Sequence, residues 1–169
     1  IYSWYMDTSV GTLHSELEQW ELAITRFEKA LEFTPYDGYI MADLAQALLR
    51  AGRTEDALDL AWVAVKAEPF FTGGRLGLGK LLLATGKVRE TVALMLDVLV
   101  TSLRSDASHF EAYGLLVQAH AQGGDIVRAR KALVAAAREL NANASGTEAI
   151  SAAAVEGLQQ TFRAMSRSL

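Results

Sequence analysis

The sequence contains no cysteine, so it offers no disulfide framework, no thiolate nucleophile and no cysteine-based metal site. The absence does not fix the compartment, and cytoplasm and periplasm both stay open. Proline is scarce, 2 in 169 residues, while Ala, Leu, Glu and Arg far outnumber the β-branched residues. Straight-chain side chains lose little rotamer freedom in a helix, so this composition favours helix throughout. No apolar run approaches the roughly 18 residues of a membrane span, and the chain reads as soluble. With 51% of its residues hydrophobic it can bury a sizeable core, and its length is that of one domain. The expectation is one all-α unit.

A basic stripe is also missing. The net charge of −4 conceals an asymmetry: 12 acids face 5 bases through Phe71, giving −7, and 8 face 11 from Thr72 onward, giving +3. Only Arg128, Arg130 and Lys131 lie close together. A nucleic-acid footprint needs a clustered basic face, so no nucleic-acid partner is expected and the trio reads as solvated helix surface. The chain opens at Ile1 as a processed or truncated product would, with Tyr2, Trp4 and Tyr5 in IYSWYMD. Such aromatics suit a membrane interface beside an anchor lying outside the sequence, or they pack on the first helix.

What is present is a repeat. Ala23 and Ala57 lie 34 residues apart in WELAITRFEKALEFTP and EDALDLAWVAVKAEP, each closed by a proline, Pro35 and Pro69. The same step relates Gly11 to Ala45 and Gly79, Val10 to Leu44 and Leu78, and Ala30 to Ala64 and Val98. A step of 38 carries Gly86 to Gly124, Leu78 to Leu116 and Val98 to Ala136. Each unit reads as two helices of about a dozen residues joined by a tight turn. The turns are AGRTED, TGKVRE and GGDIVR, in which Gly52, Gly86 and Gly124 suit the left-handed residue that ends a helix. Small residues recur where paired helices approach and bulky ones where they fill the space between, so a pair buries its apolar face only by stacking on neighbours.

This pattern resembles the tetratricopeptide repeat (TPR) family, in four divergent copies at approximately 4–37, 38–71, 72–109 and 110–143. Gly11, Ala23, Phe27, Ala30 and Pro35 fit the first copy, and Leu44, Ala45, Gly52, Ala57, Ala64 and Pro69 the second. In the third, Leu78, Gly79 and Gly86 fit, but Thr91 stands for the usual alanine and Leu103 for the closing proline. Tyr113, Leu116, Gly124, Ala129 and Ala136 fit the fourth, with Val117 where a small residue is expected. The resemblance implies an α-solenoid, a right-handed superhelix of stacked antiparallel helix pairs. Four additional residues between copies three and four, in TSLRSDASH, predict a lengthened helix followed by a loop at 105–108. After Asn143 the period stops, and SGTE at 145–148 is a capping-box pattern that opens a capping helix over approximately 147–167, striped by Ile150, Ala154, Leu158, Phe162 and Met165.

The stretch GGRLGLGKL at 73–81 contains GxxxxGK, the opening of a phosphate-binding loop. A true phosphate loop follows a strand and ends in a hydroxyl residue that reaches Mg²⁺, whereas here Leu81 follows Lys80 and the repeat register places Gly79 on a helix with Thr72 as its N-cap. No nucleotide site and no cofactor are expected. Gly79 is explained by close helix packing; Gly77 either admits a partner closely or is tolerated in a divergent repeat. His14 and His120 occupy equivalent places, where Leu48 and Leu82 stand in the inner copies, and read as half-buried packing residues. His109 lies near Asp106 and Glu111, a weak pairing without the spacing of a metal motif. No serine, histidine and acid combination carries a nucleophile-elbow sequence, so the chain is not expected to be an enzyme.

Two surfaces remain. In the resembling family the first helix of each pair lines a concave groove that receives a peptide or helix. By register the groove here carries Tyr5, Thr8 and Thr12; Tyr39, Asp43 and Gln46; Gly77 and Lys80; and Glu111, Gly114 and Gln118. Chaperone-binding members clamp a C-terminal carboxylate with Lys and Asn, and Thr8, Thr12, Ala42 and Gln46 at those places argue against that partner. On the convex back, Glu28 of copy one is replaced by Trp62, Leu96 and Val134, Lys29 by Val63, and Glu32 by Val100. Contiguous exposed apolar surface usually marks an interface and Trp is the residue most enriched among interface hot spots, unless these residues pack under the terminal segments. The sequence thus points to a non-catalytic scaffold, adaptor or assembly factor holding a protein partner in its groove. The alternative is a structural subunit or membrane-tethered domain docking through Trp62, Val63, Leu96, Val100 and Val134. A hydrophobic run of about 20 residues upstream of Ile1 would favour it.

Overall fold

The computed structural model describes residues 4–103 and 106–144. These form eight helices: α1 Trp4–Glu16, α2 Trp20–Phe33, α3 Gly38–Arg50, α4 Thr54–Ala67, α5 Thr72–Ala84, α6 Val88–Thr101, α7 Ala107–Gln122 and α8 Ile126–Ala144. Contacts divide the chain into two compact units, Ile1–Leu81 and Leu82–Leu169, with the division falling inside α5. In the first unit α1 packs on α2, α2 on α3 and α3 on α4; in the second α6 packs on α7 and α7 on α8. Stacked antiparallel helix pairs are what the 34-residue period predicts. The capping helix expected over 147–167 lies outside the described residues.

Burial follows the period. The small-residue positions Ala23, Ala57, Thr91 and Ala129 are all 0% exposed, as are Ala30, Val98 and Ala136, with Ala64 at 2%. Thr91 is accommodated at an alanine position because its hydroxyl donates to Lys87 O at 3.0 Å, which leaves no buried donor unmet. Val117, also fully buried, fills the place where Gly11, Ala45 and Gly79 stand in the other copies. At Gly11 the demand for a small residue is steric: a Cβ there would lie 2.7 Å from Phe27 Cε1.

The short turns within pairs are built alike. Gly52, Gly86 and Gly124 have φ of 83°, 76° and 79°. After each, two backbone bonds close the helix, as in Gly52 N–H to Leu49 O at 3.1 Å and Arg53 N–H to Leu48 O at 2.9 Å. The first pair uses the same closure, Glu18 N–H to Ser15 O at 3.1 Å and Gln19 N–H to His14 O at 2.8 Å, but with Glu18 at φ 56°. A side chain in that region costs roughly 1–2 kcal/mol that glycine avoids. Offset by glycine's greater entropy when unfolded, Glu18→Gly is expected to raise stability by about 0.5–1 kcal/mol in urea unfolding; no gain, or a loss, would contradict this reading of the turn.

Two boundary expectations are corrected. Thr72 is not an N-cap: it is the first residue of α5, and Phe71 holds the cap position, its carbonyl accepting from Arg75 N–H at 3.3 Å. The Phe71 ring lies against Tyr39, centroids 3.7 Å apart, and Gly73 leaves room for it, since a Cβ there would come within 2.7 Å of that ring. The equivalent cap of α3 is Asp37, whose carboxylate accepts from Tyr39 and Ile40 N–H at 3.0 and 3.1 Å. The four additional residues do not lengthen α6, which keeps 14 residues, but extend α7 to 16. Asp106 stops the extra turn by accepting from Ser108 N–H at 3.2 Å, so the helix starts where a cap is available.

Candidate interaction surfaces

α1 and α3 are the helices of unit 1 on which the register predicts a groove face. Thr12, Asp43 and Gln46, from two different helices, come together around a cavity of about 310 Å³. Ser15, Glu16, Trp20, Phe27, Ala47 and Arg50 complete its lining. Phe27 is buried and Trp20 partly exposed, so the pocket has an aromatic side beneath a polar rim. Partial burial, and secondarily the charge of Asp37, push the Asp43 carboxyl above its ordinary range.

Tyr5 and Tyr39 are exposed, at the start of α1 and α3. Thr8 and Thr12 donate their hydroxyls to Trp4 O and Thr8 O, so they offer a partner acceptor lone pairs rather than donors. On α5, Lys80 is exposed and Gly77 half-buried, and a Cβ at Gly77 would meet nothing within 4 Å. The space at Gly77 is therefore open and no packing contact requires a glycine. In unit 2, Glu111 and Gln118 are exposed on α7 and Gly114 faces equally open space.

The second helices carry the other predicted surface. Trp62 and Val63 on α4 are 39% and 47% exposed, and in unit 2 Leu96, Val100 and Val134 are exposed as well. Trp62, Leu96 and Val134 stand in solvent where Glu28 of α2 also does.

The histidines divide. His14 and His120 are half-buried, as their equivalence to inner leucines implies, and His14 Nδ1 lies 2.7 Å from Gln19 Oε1. The pairing of His109 with Asp106 and Glu111 is corrected. His109 is 2% exposed, with Nδ1 2.8 Å from Ser102 Oγ and Nε2 2.9 Å from Glu139 Oε2. Glu139 Oε1 also accepts from Tyr113 Oη at 3.0 Å. This serine, histidine and acid set ties the end of α6 to α7 and α8. The buried ring sits edge-on to Phe110 and Tyr113, an arrangement that satisfies a core histidine.

A second polar pair was not legible either. Asp7 is 1% exposed on α1, and its Oδ1 accepts from Arg26 Nη1 at 3.1 Å. The two pairs are 30 and 19 residues apart in sequence, and neither spacing matches a local motif. A charged residue at the place where Met41 is buried was the one available sign for Asp7. The GGRLGLGKL stretch is helical throughout, within α5, so its glycines form no strand-to-helix phosphate cradle. Among the described residues no cluster of three or more His, Asp or Glu could hold a metal ion, and no helix is long and apolar enough to cross a membrane.

No protein-family model matches the sequence, and no curated protein is similar to it in sequence. Solved structures are similar in fold. The thermophilic TPR protein TTC0263 of Thermus thermophilus aligns with a TM-score of 0.74 at 18% identity, over 98% of this chain and 84% of that one. MamA aligns at 0.73 with 14% identity, over 84% and 81%. The first TPR domain of Spaghetti (RPAP3), solved with the HSP90 peptide SRMEEVD, aligns at 0.64 with 19% identity, over 70% and 94%.

Proposed function

We propose, from the premise that this chain has the tetratricopeptide-repeat fold of an all-α solenoid, that it is a non-catalytic scaffold, adaptor or assembly factor holding a partner's peptide or helix against its first helices. The observation that carries this reading is the cavity of about 310 Å³ at α1, α2 and α3, lined by Thr12, Asp43 and Gln46 from the register-predicted groove. A preformed concavity with an apolar floor and a few polar groups at its rim is what a side chain of a partner needs for orientation and desolvation. That a similar fold was solved with a bound peptide supports the class of partner, although this chain has Thr and Gln where a carboxylate clamp needs Lys and Asn.

A second reading, a structural subunit docking through its second helices, is supported by the adjacent exposed pair Trp62 and Val63. Affinity capture from native extract with the full chain separates the two. Thr12→Arg, which fills the cavity from an exposed position, is expected to weaken capture of a partner at least about tenfold, while Trp62→Glu leaves it intact. Loss with Trp62→Glu alone, in a variant of unchanged helicity, would move the back surface ahead.

A further inference from the structure

Unit 1 carries 12 acidic against 7 basic side chains over residues 1–81, and its groove cavity repeats that sign. Two carboxylates, Glu16 from the last turn of α1 and Asp43 from the middle of α3, face one guanidinium, Arg50. Among the described residues neither carboxylate makes a hydrogen bond or an ion pair, although each lies within a lining that brings opposite charge to Arg50. Asp43 is the group whose ionised form is disfavoured where it stands, first by partial burial and then by Asp37. A cation beside it would favour the ionised form against both effects, while an anion would add to the repulsion from Asp37.

Size and shape narrow the cation. The cavity of about 310 Å³ opens to solvent and has room for one long side chain. The aromatic residues of the lining, a partly exposed Trp20 and a buried Phe27, suit a methylene stem that carries a positive head group. Building on the groove reading above, we infer that this cavity receives a lysine or arginine side chain of the partner segment, its stem over Phe27 and its charge between Glu16 and Asp43 beside Trp20. Arg50, at the end of α3, then meets the segment's backbone carbonyls or a neighbouring acid. The selected partner is a cationic segment, opposite in charge to the SRMEEVD peptide on the Spaghetti domain.

The test is selection of a random-peptide phage library on the full chain, followed by fluorescence anisotropy with the best binder. The expected outcome is enrichment of peptides with Lys or Arg at one fixed position. Replacing that residue by norleucine or citrulline should weaken binding about tenfold or more, and Glu16→Gln with Asp43→Asn should weaken the cationic peptide equally while leaving the neutral one unchanged. Since the charge of Asp43 is disfavoured in the unbound fold, Asp43→Asn is not expected to cost helicity, so lost binding is not lost structure. Enriched peptides that are neutral or acidic, yet displaced by Thr12→Arg, would overturn the cationic assignment and leave the groove reading standing. Selection that yields no peptide sensitive to Thr12→Arg would overturn both.

Discussion

Truncating Phe27 to alanine is expected to destabilise the chain by about 3–5 kcal/mol, read as a lowered urea midpoint. The ring is 1% exposed and lies against the backbone of α1 at Gly11, so its removal leaves a cavity between the first two helices as well as losing transfer energy. The sharper expectation concerns Gly11→Ala. Alanine gains about 1 kcal/mol of helix propensity, but its Cβ would lie 2.7 and 2.9 Å from Phe27 Cε1 and Cδ1. Overpacking of this kind costs about 1–3 kcal/mol, so in the wild-type background the substitution should destabilise by about 1 kcal/mol. In the Phe27→Ala background the clash is gone and the same substitution should stabilise by about 1 kcal/mol. A double-mutant cycle therefore gives a coupling of about 2 kcal/mol with a reversal of sign. Additive effects would mean that Gly11 and Phe27 do not set the spacing of α1 and α2.

Glu139→Ala is the second large effect, about 2–4 kcal/mol of lost stability. It removes the acceptor of Tyr113 Oη and the partner of His109 Nε2 together, and His109 is 2% exposed. A buried polar group left without its partner costs about 1–3 kcal/mol, whereas the bond itself contributes less. Glu139→Gln should recover most of the loss, because its carbonyl can accept from Tyr113 Oη while its amide keeps a hydrogen-bonding partner beside His109 Nε2. Thermal unfolding of both variants decides the point. Equal destabilisation by Ala and Gln would mean that the negative charge, rather than the hydrogen-bond pattern, holds the three helices.

The parts of this molecule that repeat were legible in its sequence, and the parts that occur once were not. Ala23, Ala57 and Ala129 announce buried helix crossings because one steric requirement recurs, and Gly52, Gly86 and Gly124 announce turns because only glycine reaches positive φ without strain. Glu18 escaped that logic, since its turn adopts the same backbone by tolerating strain. By helix length alone the extra turn falls to α6, while the cap at Asp106 decides where α7 begins. His109–Glu139 and Asp7–Arg26 join residues that only packing brings together. The repeat register groups Thr12, Asp43 and Gln46, but Glu16, Trp20 and Arg50, which line the same cavity, lie at helix ends outside the repeat positions.

The most direct measurement of the central reading, that a partner is held against the first helices, is amide hydrogen exchange of the full chain with and without its captured partner. The account predicts new protection in α1 and α3, around Thr12, Asp43 and Gln46, with α4 around Trp62 unchanged. Protection confined to α4, with α1 and α3 exchanging as in the free chain, would contradict it.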